Sequence, residues 1–156
     1  MKTTKIILLI VTIGVLWGIV ENMAVLPANL QTNSLVIWLL NGTSLCTYLV
    51  LFAISFFLYK LINIYNKIHF FSSKSVVLVR KIAFLVLILA ILDIANRGLF
   101  DVLHSSNMSV SKILKNFFWR TIFVSPTFIF CSILIFILAD FMKKAITVKQ
   151  ENESFI

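Results

Sequence analysis

The chain has 156 residues, of which 60% are hydrophobic, with a mean hydropathy of +1.03 and a formal net charge of +8. Soluble domains are about 45–50% apolar, and a core built by so short a chain cannot bury the excess, so the composition excludes an ordinary soluble protein. The basic residues lie at the ends of apolar runs and form no separate stripe with interleaved aromatic residues. We therefore expect no direct nucleic-acid binding.

Four long apolar runs predict four membrane-spanning helices. The runs cover residues 6–23, 35–59, 82–103 and 121–141. Each can cross a hydrocarbon core of about 30 Å, because an α-helix rises roughly 1.5 Å per residue. We predict an all-α fold, a four-helix transmembrane bundle that forms one integral membrane domain. The predicted elements are helices at about 4–23, 34–59, 76–103 and 119–141, followed by a short tail over residues 142–156.

The distribution of basic residues predicts the orientation of these helices. Lys and Arg are concentrated before the first run, between the second and third runs, and after the fourth, whereas residues 22–34 contain none. By the positive-inside rule, both termini and the second loop lie in the cytoplasm. A cleaved signal peptide is the alternative for the first run. Its apolar stretch is longer than a usual signal core, and residues 26–28 make a poor cleavage site, so we expect an uncleaved helix.

The second helix carries a polar patch in its predicted outer half. The patch consists of Asn41, Thr43, Ser44 and Thr47. Such groups either form hydrogen bonds between helices, worth about 0.6 kcal/mol each in a membrane, or line a polar cavity. Four glycines in the whole chain lead us to expect helix packing without close glycine contacts. Beyond Tyr59, apolar residues continue at helical spacing, which predicts a helical extension on the inner membrane surface.

The loop between the second and third helices is the most basic part of the chain. Its cationic residues are Lys60, Lys67, Lys74, Arg80 and Lys81. We predict that they bind a cytoplasmic partner or the headgroups of the inner leaflet. Ser72 and Ser73 precede the next periodic stretch, where a hydroxyl group can cap a helix start. The third helix is therefore expected to begin near Ser73.

Charged residues inside the third run are the least expected in the chain. Asp93 lies about 18 Å along the helix from Lys81, where a bare carboxylate costs about 2.5–3.5 kcal/mol. Arg97 and Asp101 follow at four-residue spacing and share its face, and Asn96 lies beside them. Three interpretations of this stripe are open. It forms an intrahelical Asp93–Arg97 pair, it forms a site for a ligand, ion or proton that opens to the outer side, or it forms part of a subunit interface. Together with the polar patch of the second helix, it forms the candidate intramembrane site.

The fourth helix contains Pro126 near its outer end, where proline kinks a helix or begins its regular part. Asp140, at the inner end, is expected to pair locally with Lys143 and Lys144. Two cysteines, Cys46 and Cys131, lie inside apolar runs and are interpreted as small buried hydrophobic residues.

No catalytic motif is present in the sequence. It contains neither HExxH nor GxSxG, and its two histidines lie in loops predicted on opposite sides of the membrane. We therefore expect no enzyme activity, no catalytic residues, no metal site and no cofactor.

Two stretches resemble a family of small bacterial membrane proteins known as a domain of unknown function, DUF2975. In residues 66–83 the similar positions are Phe71, Ser72, Val79, Arg80, Lys81 and Ile82. In residues 125–156 they are Pro126, a long Ile/Leu/Phe run, Asp140, and the basic and acidic residues that follow. The chain departs from the family pattern at Ser132, where a glycine is expected, and its last four residues match only loosely.

The resemblance implies a multi-pass protein of the bacterial cytoplasmic (inner) membrane and offers no active site to carry over. Such proteins are often encoded beside a small helix-turn-helix regulator. We therefore expect a non-enzymatic regulatory or accessory protein that acts with a cytoplasmic partner of that type, and we leave a homo-oligomer open. The alternatives are a small oligomeric transporter or channel component, and an immunity protein against a membrane-active peptide.

Overall fold

The computed structural model of the protein describes residues 2–29, 35–67, 72–104, 115 and 126–154. Its helices are α1 (Lys2–Asn29), α2 (Leu35–Lys67), α3 (Ser73–His104) and α4 (Pro126–Ser154). Within these ranges there is no strand. The prediction of four helices and an all-α fold is confirmed.

Three of the helices are long and apolar enough to cross a membrane. The qualifying segments are Thr4–Ala24, Leu35–Tyr65 and Ser73–Phe100. Many large apolar side chains on them point outward; Ile10 and Ile91, for example, are 62% and 61% exposed. Such exposure is what lipid as the surrounding solvent permits, so these are the helices of a membrane protein. The fourth predicted span begins near residue 119, which lies outside the described residues.

Each helix packs against the next helix along the chain: α1 on α2, α2 on α3, and α3 on α4. No other pair of the described helices comes into contact. Neighbours are antiparallel: Lys5 at the start of α1 bonds Asn63 near the end of α2, and Arg80 near the start of α3 pairs with Asp140 of α4. We call the end that holds the starts of α1 and α3 and the ends of α2 and α4 the basic end. Which face of a membrane it occupies stays a prediction.

A cluster of buried apolar side chains lies at the basic end. It is formed by Val76, Val79, Ala139 and Met142, and Leu61, Ile135 and Ile146 pack against it. The sequence-based boundary ended the last helix at residue 141, but α4 continues to Ser154. The reason is that Met142 and Ile146 extend the stripe of Ala139 at helical spacing and bury it against α3, past the point where hydropathy falls.

The first two helices approach closely at Gly18. A β-carbon on Gly18 would overlap the ring of Tyr48, whereas one on Gly14, a turn earlier, would meet no atom within 4 Å. The expectation of packing without close glycine contacts is therefore wrong for α1 and α2. Gly18 alone provides the space for this approach, since Gly14 faces no neighbour.

The start of α3 is fixed by Ser72. The backbone N–H of Ser75 donates to Ser72 Oγ at 3.2 Å, and the N–H of Val76 donates to the Ser72 carbonyl at 3.2 Å. These bonds satisfy amide groups that a helix start otherwise leaves unpaired. The predicted start near Ser73 is confirmed.

Replacing Gly18 by alanine is expected to destabilise the protein by about 1–3 kcal/mol, since the new methyl group displaces the Tyr48 ring. The matched control is Gly14→Ala on the same helix, which meets no neighbour and should cost nothing. Reversible unfolding in mixed detergent micelles measures both. Equal stabilities of the two variants would show that Tyr48 does not hold α1 at Gly18.

Removing the cap with Ser72→Ala is expected to cost about 1 kcal/mol of local stability. The backbone amides of Ser75 and Val76 should then exchange hydrogen severalfold faster, while those in the middle of α3 keep their rates. Ser73→Ala is the control, because that exposed neighbour makes none of the capping bonds. Unchanged exchange at Ser75 in the Ser72 variant would rule the cap out.

Candidate functional site

Polar side chains of α2 and α3 meet where these helices face each other. The Thr43 hydroxyl donates to Asn96 Oδ1, and Asn96 Nδ2 donates to Thr47 Oγ1 at 3.2 Å. All three side chains are half-buried. The structure thus brings together residues that the sequence assigned to a candidate site on two different helices. We call these three residues the α2–α3 network.

The α2–α3 network satisfies its own hydrogen-bonding groups. The Thr47 hydroxyl donates to the Thr43 carbonyl at 2.9 Å, and the Thr43 oxygen also lies within 3.0 Å of the carbonyls of Leu39 and Leu40. Among the described residues, no buried side-chain nitrogen or oxygen lacks a partner. The arrangement therefore has the character of helix-to-helix packing, one of the two interpretations that the sequence left open.

Two members of the predicted patch stand apart from the network. Asn41 and Ser44 are half-buried on α2, and neither forms a hydrogen bond with Asn96 in the described part of the chain. Successive helical residues are rotated by about 100°, which places Asn41 about 160° around α2 from Thr43. A single polar wall formed by the whole patch is therefore not present.

Asp93 and Arg97 form an ion pair one turn apart on α3. Arg97 Nε donates to both carboxylate oxygens of Asp93 at 3.1 Å. The Arg97 side chain is 46% exposed and the Asp93 side chain is 23% exposed. This is the intrahelical pair that the four-residue spacing predicted. It lowers the cost of a carboxylate within an apolar segment, because the opposite charge is held beside it. The side chain of Asp101, the third residue of the predicted stripe, lies outside the described residues.

The cations of the basic end surround a shallow surface between α2 and α3. Two adjoining depressions of about 370 Å³ each share Val77, and we call them together the basic recess. Lys60 and Lys74 line the first depression, and Arg80 and Lys81 line the second. The side chain of Lys67, which belongs to the same predicted set, lies outside the described residues.

Aromatic rings hold two of these lysines in place. The Lys60 ammonium group lies 4.5 Å from the centre of the Phe56 ring, and that of Lys81 lies 5.6 Å from the centre of the Phe57 ring. A cation over a ring face gains about 0.5–1 kcal/mol at an exposed site. The two lysines thus have defined positions, although their side chains are exposed.

Asp140 pairs differently from the expectation. Its carboxylate accepts a hydrogen bond from Arg80 of α3 at 2.6 Å, instead of pairing with Lys143 and Lys144 on its own helix. The partners are 60 residues apart, and no local pattern in the sequence signals such a pair. Both side chains are exposed, so the bond contributes about 0–1 kcal/mol and mainly fixes the register of α4 on α3.

Other contacts between helices were also missed by the sequence reasoning. Ser132 is 1% exposed and donates to the backbone carbonyl of Ala83 at 2.8 Å, which joins α4 to α3 at a buried point. Its position is the one at which the family resemblance led us to expect glycine. A small residue is required there because Ala83, with no exposed surface, lies against it.

The cysteines and candidate metal ligands give no site. Cys46 and Cys131 are exposed on the helix surfaces rather than buried as expected, because an apolar thiol is as well accommodated by lipid as by protein. In the part of the chain that the structure describes, no three His, Cys, Asp or Glu residues are placed to hold a metal ion.

Comparison with known proteins assigns the family. A family model described as a protein of unknown function (DUF2975) matches residues 21–156, which is most of the chain. The chain therefore belongs to this family, and the resemblance found in the sequence is confirmed. Neither the curated proteins nor the solved structures contain a match.

The α2–α3 network predicts energetic coupling between Thr47 and Asn96. In a double-mutant cycle of Thr47→Val and Asn96→Leu, the coupling energy should be about 0.6 kcal/mol, the usual worth of a hydrogen bond between membrane helices. Thr12→Val is the control partner for Asn96→Leu, because in the described part of the chain the Thr12 side chain bonds only the Leu8 carbonyl of its own helix, at 2.7 Å. Unfolding free energies in detergent micelles give both cycles. Equal coupling energies in the Thr47–Asn96 and Thr12–Asn96 cycles would contradict a specific hydrogen bond between Thr47 and Asn96.

Proposed function

We propose that this DUF2975 protein is a non-enzymatic regulatory or accessory protein of a bacterial cytoplasmic membrane, and that it holds a soluble partner at its basic end. One observation carries the proposal: a buried apolar cluster joins helical ends that continue past the predicted apolar runs of residues 35–59 and 121–141. The α2 helix runs to Lys67, and α4 runs to Ser154, thirteen residues past Phe141.

Packing makes these helical ends a preformed surface. The buried cluster of Val76, Val79, Ala139 and Met142 holds α3 and α4 together, and Leu61 attaches α2 to them. A helix pair that served only as an anchor needs no such cluster where its apolar runs end. A rigid surface loses less conformational entropy when it binds a partner, which favours recognition.

The charge of the surface indicates the chemistry of the partner. Among the described residues, Lys74 and Lys81 form no ion pair with a carboxylate, and both are exposed in the basic recess. An acidic segment of a soluble protein is the complementary ligand. The helix-turn-helix regulator that the family resemblance implies is the first candidate.

The hydrogen bonds and the ion pair of the intramembrane polar groups favour this proposal over a transporter function. Thr43, Thr47 and Asn96 bond one another, and Asp93 is held by Arg97. Side chains engaged in this way contribute to packing between and along helices. They offer few groups for an ion or solute, and they form no pairing of nucleophile and base that an enzyme would require.

Photo-cross-linking in living cells tests the proposal. A photoreactive amino acid in place of Val77, in the floor of the basic recess, is expected to capture one soluble protein. The same amino acid in place of Ile91, an exposed position in the middle of the α3 span, is the control and should capture lipid or membrane proteins only.

Neutralising the recess should release the partner. The double variant Lys74→Gln, Lys81→Gln is expected to lower the cross-linking yield at position 77 roughly fivefold, if each exposed ion pair is worth about 0.5 kcal/mol. Lys5→Gln, on the far side of α2, removes one positive charge outside the recess and should leave the yield unchanged. Capture of no soluble protein at position 77, or equal yields from all three proteins, would refute the proposal.

A further inference from the structure

A groove of 270 Å³ lies between α1 and α2 and opens at the basic end. The residues that line it are Lys5, Leu8, Leu9 and Thr12 of α1, and Phe52, Ser55, Phe56 and Tyr59 of α2. Each set spans seven residue steps along its helix, so the groove follows the helices for about 10 Å. Both sets fall within the segments that are apolar enough to cross a membrane.

Between its two ends, the walls of the groove have no free hydrogen-bond donor for a ligand. The two hydroxyl groups there already donate within their own helices, Thr12 to the Leu8 carbonyl at 2.7 Å and Ser55 to the Leu51 carbonyl at 3.0 Å. The remaining wall residues between the ends are leucines and phenylalanines. Inside a bilayer, such a surface suits a hydrocarbon chain and excludes polar solutes and water.

The mouth of the groove is cationic. Lys5 Nζ donates to Asn63 Oδ1 at 2.9 Å and lies 5.8 Å from the centre of the Tyr59 ring, and the Lys60 ammonium group lies over Phe56. An ammonium group has three N–H donors, so Lys5 keeps two after bonding Asn63. No carboxylate among the described residues pairs with Lys5. The ammonium group of Lys5 therefore lies at the end of the apolar groove.

We propose that this groove binds one anionic phospholipid, with an acyl chain between α1 and α2 and the headgroup phosphate on Lys5. The two halves of the ligand match the two parts of the site, since hydrocarbon meets Leu9, Phe52 and Phe56, and phosphate meets an ammonium group that has donors to spare. Lys5 lies at the start of its span, at the depth where headgroups begin. The groove lies on the other side of α2 from the basic recess, and Lys60 borders both.

Native mass spectrometry of the purified full-length protein in detergent micelles tests the proposal. The probes are phosphatidylglycerol and phosphatidylcholine with identical acyl chains, so the two lipids differ in net charge and headgroup only. The protein is expected to bind one phosphatidylglycerol molecule with clear preference. Lys5→Gln should weaken phosphatidylglycerol about fivefold, the effect of one lysine at a membrane surface, and weaken phosphatidylcholine less, because the choline cation offsets the charge of its phosphate.

A second variant tests the groove apart from the charge. Leu9→Trp places a larger side chain at the rim of the groove, and because Leu9 is 62% exposed the change does not disturb a packed core. It should weaken both lipids to a similar degree. Lys74→Gln, in the basic recess, is the control for charge and should leave both affinities as in the wild type.

Two outcomes would overturn the proposal. Equal binding of the two lipids, or equal effects of Lys5→Gln and Lys74→Gln, would show that no anionic lipid is held at Lys5. A dimer that Leu9→Trp dissociates, without any lipid preference, would show that a second copy of the chain occupies the groove. Either result leaves the partner experiment at Val77 unaffected, because that experiment reports on the other side of α2.

Discussion

The structure depends on one constraint: a polar group inside a bilayer must find its partner within the protein. Water is absent there, and an unpaired group costs several kcal/mol. Thr12 and Ser55 meet the constraint within their own helices, and Asn96 meets it across to α2. Ser132 meets it by bonding a backbone carbonyl of α3. Asn96 and Ser132 thus help to fix the height at which α3 contacts α2 and α4.

The same constraint separates the features that could be predicted from the sequence from those that could not. The helices, the Ser72 cap and the Asp93–Arg97 pair follow from local patterns, because the residues involved are at most four positions apart. Contacts such as Arg80–Asp140 and Gly18–Tyr48 depend on how each helix is rotated about its axis. In a soluble protein, an apolar face reveals that rotation. Here lipid-facing and protein-facing surfaces are both apolar, so the sequence carries little information about which face is inside.

The two ends of the protein are built differently as a result. At the end where the α2–α3 network lies, the helices are joined by hydrogen bonds among small polar side chains. At the basic end they are joined by a buried apolar cluster, of the kind found in soluble proteins. This difference explains why α4 remains helical to Ser154, well past its last strongly apolar residues. It also explains why hydropathy alone placed the end of the helix too early.

The position of α2 between its two neighbours has a mechanical consequence. Phe56 lines the groove toward α1, and the next residue, Phe57, lines the recess toward α3; their rings meet edge to face at 5.8 Å. Lys60 contacts both surfaces, since its ammonium group lies over the Phe56 ring and its side chain lines the recess. The α2 helix therefore forms one wall of the groove and one wall of the basic recess. A turn of α2 about its axis would alter both surfaces, whereas a ligand bound to one of them need not disturb the other.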